Sequence, residues 1–82
     1  MEKYKAGMLA RSMAGHDRGK VYVIIDADDA YIYLADGRIR TLDKLKKKKK
    51  KHVQLILREY DMTDTTDVKI KRLLKIFNKE EK

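Results

Sequence analysis

The strongest constraint on the fold is the segment Lys20 to Ile25, in which five consecutive residues, Val21 to Ile25, are β-branched or aromatic. Residues of these types favour an extended backbone. Because successive side chains of a strand point to opposite faces, an apolar run of this kind predicts a strand that is buried on both sides. A strand buried on both sides fits a small closed or partly closed barrel better than an open sheet.

Four further segments carry strand patterns: Met8 to Met13, Ala30 to Ala35, Arg38 to Leu42 and His52 to Leu57. The dipeptide Asp36-Gly37 is a strong signal for a two-residue hairpin turn between the second and third of these segments. In the resulting register Leu34 faces Ile39 and Tyr33 faces Arg40. One face of the hairpin then joins the core, through Ile32, Leu34, Ile39 and Thr41. The other face is wet, basic and aromatic, with Tyr31, Tyr33, Arg38 and Arg40.

Near the end of the chain the apolar period changes from two to about 3.6, since Ile70, Leu73, Leu74 and Phe77 fall at i, i+3, i+4 and i+7. Thr63 or Asp64 is expected to cap this helix, with Asp67 in its first turn. We therefore predict a mainly β fold. Residues 1–57 form a five-stranded barrel, residues 58–66 a linker, and residues 67–79 a helix that packs on the barrel.

The basic run from Lys44 to Lys51 contains seven lysines in eight residues. The whole chain of 82 residues has 21 Lys+Arg against 13 Asp+Glu, so only 14 basic residues lie outside the run. Charges at this density repel one another, which predicts a long loop that a polyanion would order. We favour contact with RNA phosphates over a merely solvated loop. Lysine is a point charge, so the run is expected to supply affinity and not sequence choice.

Several classes of site are disfavoured by the sequence. The absence of Cys excludes disulfides and thiolate metal sites. His16 and His52 have no recognisable ligand spacing, and the acids at 26–29 have the composition of a turn rather than the spacing of a calcium loop. No nucleophile or phosphate-loop motif is present. We expect no enzyme activity, no metal and no cofactor. The absence of a long apolar stretch after Met1 argues against a secretory signal and a transmembrane segment, and the absence of Cys suits a reducing compartment. We therefore expect a cytoplasmic protein without a membrane partner.

The segment Gly15-His16-Asp17-Arg18-Gly19-Lys20-Val21 resembles the KOW motif, in which a Gly-x-Asp-x-Gly-Lys loop joins two strands of an SH3-like barrel. Residues 7–57 are similar to the KOW domains of large-subunit ribosomal proteins of archaea and eukaryotes, where a basic run also leads into a strand like the one beginning at His52-Val53. The whole chain resembles small bacterial KOW-domain RNA-binding proteins. The family usually mixes Arg and Lys in the basic segment, whereas this segment is almost pure Lys.

The resemblance implies an SH3-like barrel that binds structured RNA, usually ribosomal RNA, without catalysis. We expect Asp17 to serve its own turn, and the protein to be a monomer when free. The residues expected to contact RNA are Arg11, His16, Arg18, Lys20, Tyr31, Tyr33, Arg38, Arg40, Lys44, Lys46, Lys47, Lys48, Lys49, Lys50, Lys51 and His52.

Two alternatives stay open. Some KOW domains bind proteins, so the chain is alternatively an adaptor of the transcription or translation machinery, and ribosomal proteins are candidate partners. Attachment to a membrane surface through the lysines is the weaker alternative, because neither an amphipathic basic helix nor a lipidation signal accompanies them.

Overall fold

The computed structural model describes residues 3–80. The N-terminal Met1 and Glu2, with which the predicted barrel unit begins, lie outside the described residues. The described chain forms five strands and one helix: β1 (Met8–Ser12), β2 (Val21–Ala27), β3 (Tyr31–Ala35), β4 (Lys46–Lys49), a 3₁₀ turn (Lys50–His52), β5 (Val53–Glu59) and α1 (Asp67–Glu80). The prediction of a mainly β fold with a C-terminal helix is confirmed.

The strands form one antiparallel sheet in the order β4-β3-β2-β1-β5. Since β4 and β5 are the two edges, the sheet is open, and the predicted closure is absent from the described residues. Only Lys50–His52 joins these two edge strands. Four residue steps reach at most about 14 Å, whereas the outer strands of a flat five-stranded sheet lie about 19 Å apart. The sheet must therefore curl strongly toward its own edges.

The central strand β2 is buried on both faces, as its sequence predicts, but the second face is covered by the helix. On one face Tyr22 and Ile24 pack in a cluster with β3 residues. On the other face Val21 and Val23 pack under the apolar stripe of α1. Burying each large side chain of that stripe contributes about 2 kcal/mol. The buried residues of the stripe are Ile70, Leu74 and Phe77.

The predicted hairpin between Ala30–Ala35 and Arg38–Leu42 is wrong, because residues 38–42 are not a strand and β3 pairs instead with β4. The Asp36 side chain is 4% exposed, and its Oδ1 accepts hydrogen bonds from the backbone N–H groups of Arg38 and Arg40, both at 2.9 Å. These bonds curl the chain into a compact loop. Ile39, which was expected in the core, is 75% exposed on this loop.

The loop of residues 36–40 lies directly on the helix. Gly37 has a φ of +78°, and a Cβ there would collide with the carbonyl oxygen of Asp67 and lie 2.8 Å from the backbone nitrogen of Lys71. Just after the loop, the N–H of Leu42 donates to Asp67 Oδ1 at 2.8 Å. The dipeptide Asp36-Gly37 thus serves a contact between loop and helix rather than a hairpin turn.

Three predicted boundaries also shift. Strand β5 begins after His52 and continues to Glu59, so the connection to the helix is 60–66 rather than 58–66. The N-cap is Thr66 instead of Thr63 or Asp64, because Thr66 Oγ1 accepts from the N–H of Lys69 at 3.2 Å. Strand β2 includes Asp26 and Ala27, which shortens the predicted acidic turn. Within residues 3–80, no helix has the length and apolar character needed to cross a membrane.

Candidate nucleic-acid interface

The lysine run is an edge strand for half of its length, which corrects the prediction of a loop. Strand β4 is made of Lys46–Lys49 alone and pairs with β3 in the register Tyr31↔Lys49 and Tyr33↔Lys47. Backbone hydrogen bonds to β3 offset the repulsion between the ammonium groups, and alternation sends successive lysines to opposite faces. A row of lysines on an edge also discourages pairing with a second sheet.

Two lysines of the strand face inward, toward Asp17 in the loop after β1. Lys48 Nζ lies 3.2 Å from Asp17 Oδ1 and 3.0 Å from the carbonyl oxygen of Ala14. Lys46 Nζ lies 3.6 Å from Asp17 Oδ2. Side-chain exposure is 24% for Lys46 and 11% for Lys48. These two ammonium groups hold β4 against the loop, with their charge already partly matched by a carboxylate.

Asp17 is the centre of a small polar network. It accepts hydrogen bonds from Ser12 Oγ and from the Tyr22 hydroxyl, both at 2.8 Å. Burial by itself raises the pKa of this carboxyl, but its hydrogen bonds, first of all that from Tyr22, outweigh burial and hold the pKa well below the usual range. Burial and the same bond raise the pKa of Tyr22. Asp17 was expected to bond the backbone of its own turn, but its carboxylate contacts side chains and carries countercharge for the strand.

The other two lysines of the strand face outward beside two tyrosines of β3. We call Tyr31, Tyr33, Lys47 and Lys49 the strand surface. Lys47 Nζ lies 4.3 Å from the centroid of the Tyr31 ring, within the range of a cation–π contact. The Tyr33 hydroxyl donates to Asp28 Oδ2 at 2.7 Å, which raises the pKa of Tyr33 and lowers that of Asp28. Half-buried aromatic rings and exposed lysines thus alternate on one face of the sheet.

Further cations flank the strand surface along the chain. Lys51 is exposed in the 3₁₀ turn, and Lys44 is exposed just before β4. Lys50 is half-buried, with its Nζ 5.0 Å from the centroid of the Tyr4 ring. His52 is half-buried, and its carbonyl oxygen accepts from the N–H of Met13 at 2.9 Å. Five lysines of the run therefore lie outside the ion pairs with Asp17: Lys44, Lys47, Lys49, Lys50 and Lys51.

The KOW-like loop, residues 15–20, approaches the lysine strand through Asp17. Gly15 and Gly19 both have positive φ values, of +85° and +92°, and His16 and Arg18 are exposed between them. Lys20 forms an ion pair with Asp36 Oδ2 at 2.5 Å. The loop therefore presents His16 and Arg18 to solvent, while Lys20 is already paired with Asp36.

The structure does not bring the predicted arginines to the tyrosines. Arg38 is exposed and Arg40 is half-buried in the loop at 36–40, which abuts the helix rather than pairing with β3. Arg11 on β1 is half-buried, and its Nη1 donates to the carbonyl oxygen of Gly19 at 3.5 Å. The partners of Tyr31 and Tyr33 across the strand pair are lysines instead.

Sequence reasoning missed one basic surface. Lys71 and Lys75, on α1, line a groove of about 650 Å³ together with Lys20 and Arg38. The signal was visible as two lysines spaced i, i+4 beside the apolar stripe. Their meeting with Arg38 depends on the loop at 36–40, whose position only the tertiary structure gives.

The acidic turn after β2 has a structural role. Asp28 Oδ1 accepts from the N–H groups of Ala30 and Tyr31, at 3.1 and 2.8 Å, and this agrees with the turn predicted there. Across residues 3–80, no group of three or more His, Cys, Asp or Glu side chains is arranged to hold a metal ion.

Comparison with known proteins adds no relative. No protein-family model matches the chain, and no curated protein sequence matches it.

Proposed function

We propose that the protein is a non-catalytic KOW-type RNA-binding protein that contacts structured RNA, with ribosomal RNA as the class favoured by the sequence resemblance. The observation that carries the proposal is the strand surface, where half-buried Tyr31 and Tyr33 alternate with exposed Lys47 and Lys49 on one face. The curled five-stranded sheet and the glycine-flanked loop at 15–19 support the SH3-like relationship.

In this proposal the exposed lysines contact phosphates, while the tyrosine rings offer faces to unpaired bases or riboses. Lys46 and Lys48 act as positioning residues, because their ammonium groups fix β4 to Asp17. Cationic side chains on a hydrogen-bonded strand lose less freedom on binding than they would on a mobile loop. The recognition that results depends on backbone shape more than on base sequence.

Salt dependence tests the proposal. The affinity for a folded ribosomal RNA domain is measured by fluorescence anisotropy across a series of NaCl concentrations. If the five lysines outside the Asp17 ion pairs each displace one counterion, the slope of log K against log salt is about −4.5 at about −0.9 per contact. Engagement of all seven lysines gives a slope of about −6. A flat response contradicts binding through phosphates altogether.

A further inference from the structure

The groove between α1 and the loop at 36–40 is a second surface with its own chemistry. Val21 and Leu74 form its apolar floor, and Ile39 stands at its side with 75% of its surface exposed. The volume of about 650 Å³ is enough for one side chain of a short peptide together with the residues that flank it. An exposed isoleucine beside an apolar floor is a feature that the strand surface does not share.

The rim of this groove is basic. Lys20, Arg38, Lys71 and Lys75 surround it, and among the described residues that line it Asp36 is the one acidic side chain. Asp36 is buried and already engaged by Lys20, so its charge does not balance the other three cations. The groove therefore attracts an anionic partner, and its lysines offer point charges on flexible stems.

The groove is built before any partner arrives. Gly37 abuts the first turns of α1 with no room for a side chain, and the N–H of Leu42 donates to the side-chain carboxylate of Asp67 at 2.8 Å. Asp36 fixes the backbone of the loop that carries Arg38 and Ile39. Binding of a partner consequently costs little conformational entropy on the side of the groove, because the groove is already ordered.

The lining distinguishes between classes of partner. Sites that hold unpaired bases stack them on aromatic rings, and the described residues that line this groove include no aromatic side chain. Phosphates alone would satisfy the cations but leave the aliphatic floor and Ile39 in water. A peptide that combines carboxylates with one large apolar side chain satisfies both parts, because the carboxylates meet the rim and the apolar group meets the floor.

We propose that this groove binds a short acidic segment of a partner protein. One large apolar side chain of that segment packs between Val21, Ile39 and Leu74, and flanking carboxylates pair with Arg38, Lys71 and Lys75. This interaction is separate from RNA binding at the strand surface and does not depend on it. Together with the proposed RNA binding, on which this consequence rests, the groove would connect an RNA with a second protein.

A peptide selection tests this proposal on the full chain. Random dodecapeptides displayed on phage are selected on the immobilised protein, with counter-selection on the variant Lys71→Glu/Lys75→Glu. We expect the recovered peptides to place Asp or Glu around a Leu, Ile, Met or Phe. The most enriched peptide, made synthetically, should bind the charge-reversed variant at least about tenfold more weakly. Ile39→Ser should weaken binding about tenfold while leaving the fold intact, since Ile39 is largely exposed.

The location of the bound peptide decides between the two surfaces. In a ¹⁵N NMR titration the shifts should concentrate on Arg38, Ile39, Lys71 and Lys75. The variant Lys47→Glu/Lys49→Glu should lose RNA affinity yet keep peptide affinity. Peptide binding in the groove is therefore tested independently of RNA binding at the strand surface.

Three results would overturn the inference: recovered peptides without an acidic and apolar pattern, shifts centred on the strand surface, or an equal loss of RNA affinity in the two charge-reversed variants. The last result would assign the groove to RNA.

Discussion

At the scale of single residues, Asp17 links the KOW-like loop to the lysine strand. Its carboxylate meets two ammonium groups and two hydroxyl groups, from Lys46, Lys48, Ser12 and Tyr22. Each partner favours the charged form of the carboxyl, which is why its pKa lies far below the ordinary value although it is mostly buried. A single acid in the loop thus decides which lysines of the strand remain available to an anionic ligand.

Replacing Asp17→Asn should destabilise the fold by about 2–3 kcal/mol at neutral pH, because two partly buried ammonium groups lose their countercharge. The folded-state pKa of Asp17 lies below its unfolded value of about 3.9, so its contribution is complete above about pH 5 and declines as the pH falls. The free energy of unfolding is measured with urea at neutral pH and at about pH 3. Between these two conditions it should decrease less in the variant than in the wild type. Equal stabilities at neutral pH would contradict this role.

Gly37 is a second residue whose role depends on its surroundings. Gly37→Ala should cost about 1–2 kcal/mol for a positive φ and further free energy for the collision with α1. Gly19→Ala is the matched control, since its φ is also positive but no atom lies within 4 Å of an added Cβ. The melting temperature of Gly37→Ala should therefore be well below that of Gly19→Ala. Similar melting temperatures for the two variants would contradict the close packing of loop and helix.

At the scale of elements, the central observation is that four consecutive lysines form a β-strand. Lysine has little intrinsic preference for strands, so the pairing with β3 and the charge of Asp17 must impose this conformation. The strand in turn sorts its side chains into an inward pair and an outward pair. This sorting makes part of a uniform basic run structural and leaves the rest available for binding.

Hydrogen exchange of the RNA-free protein tests the existence of β4. Only alternate N–H groups of an edge strand point toward the neighbouring strand. Amide exchange measured by NMR should therefore show alternate protection along Lys46–Lys49. Exchange of all four amides at the rate of an unstructured loop would contradict strand β4 and favour the loop predicted from the sequence.

The elements that depend on local patterns were predictable, and those that depend on distant partners were not. The β-branched run of β2 and the apolar stripe of α1 are visible in the sequence, and both form. The Asp36-Gly37 signal was misleading because the Asp36 side chain bonds the backbone ahead of it and Gly37 meets α1. The pairing of Lys48 with Asp17, 31 residues earlier, has no local signature. The alternation of the lysines therefore required the tertiary structure.

At the scale of the whole molecule, the excess positive charge is divided between two surfaces of different chemistry. The strand surface combines lysines with tyrosine rings, and the groove beside α1 combines cations with aliphatic side chains. Both surfaces belong to one small fold, in which the curled sheet carries the strand surface and the helix covers one face of β2. Under the two proposals above, these surfaces are separate sites for an RNA and for a protein segment.

The central claim is that the two faces of one lysine strand have different roles. Its most direct test compares Lys47→Gln/Lys49→Gln with Lys46→Gln/Lys48→Gln, two variants with the same loss of charge in the same strand. In a salt series with a folded ribosomal RNA domain, the outward pair should weaken binding and reduce the magnitude of the slope by about 1.8. The inward pair should lower the melting temperature and leave the slope nearly unchanged. Equal reductions of the slope by both pairs, or no reduction by the outward pair, would contradict the claim.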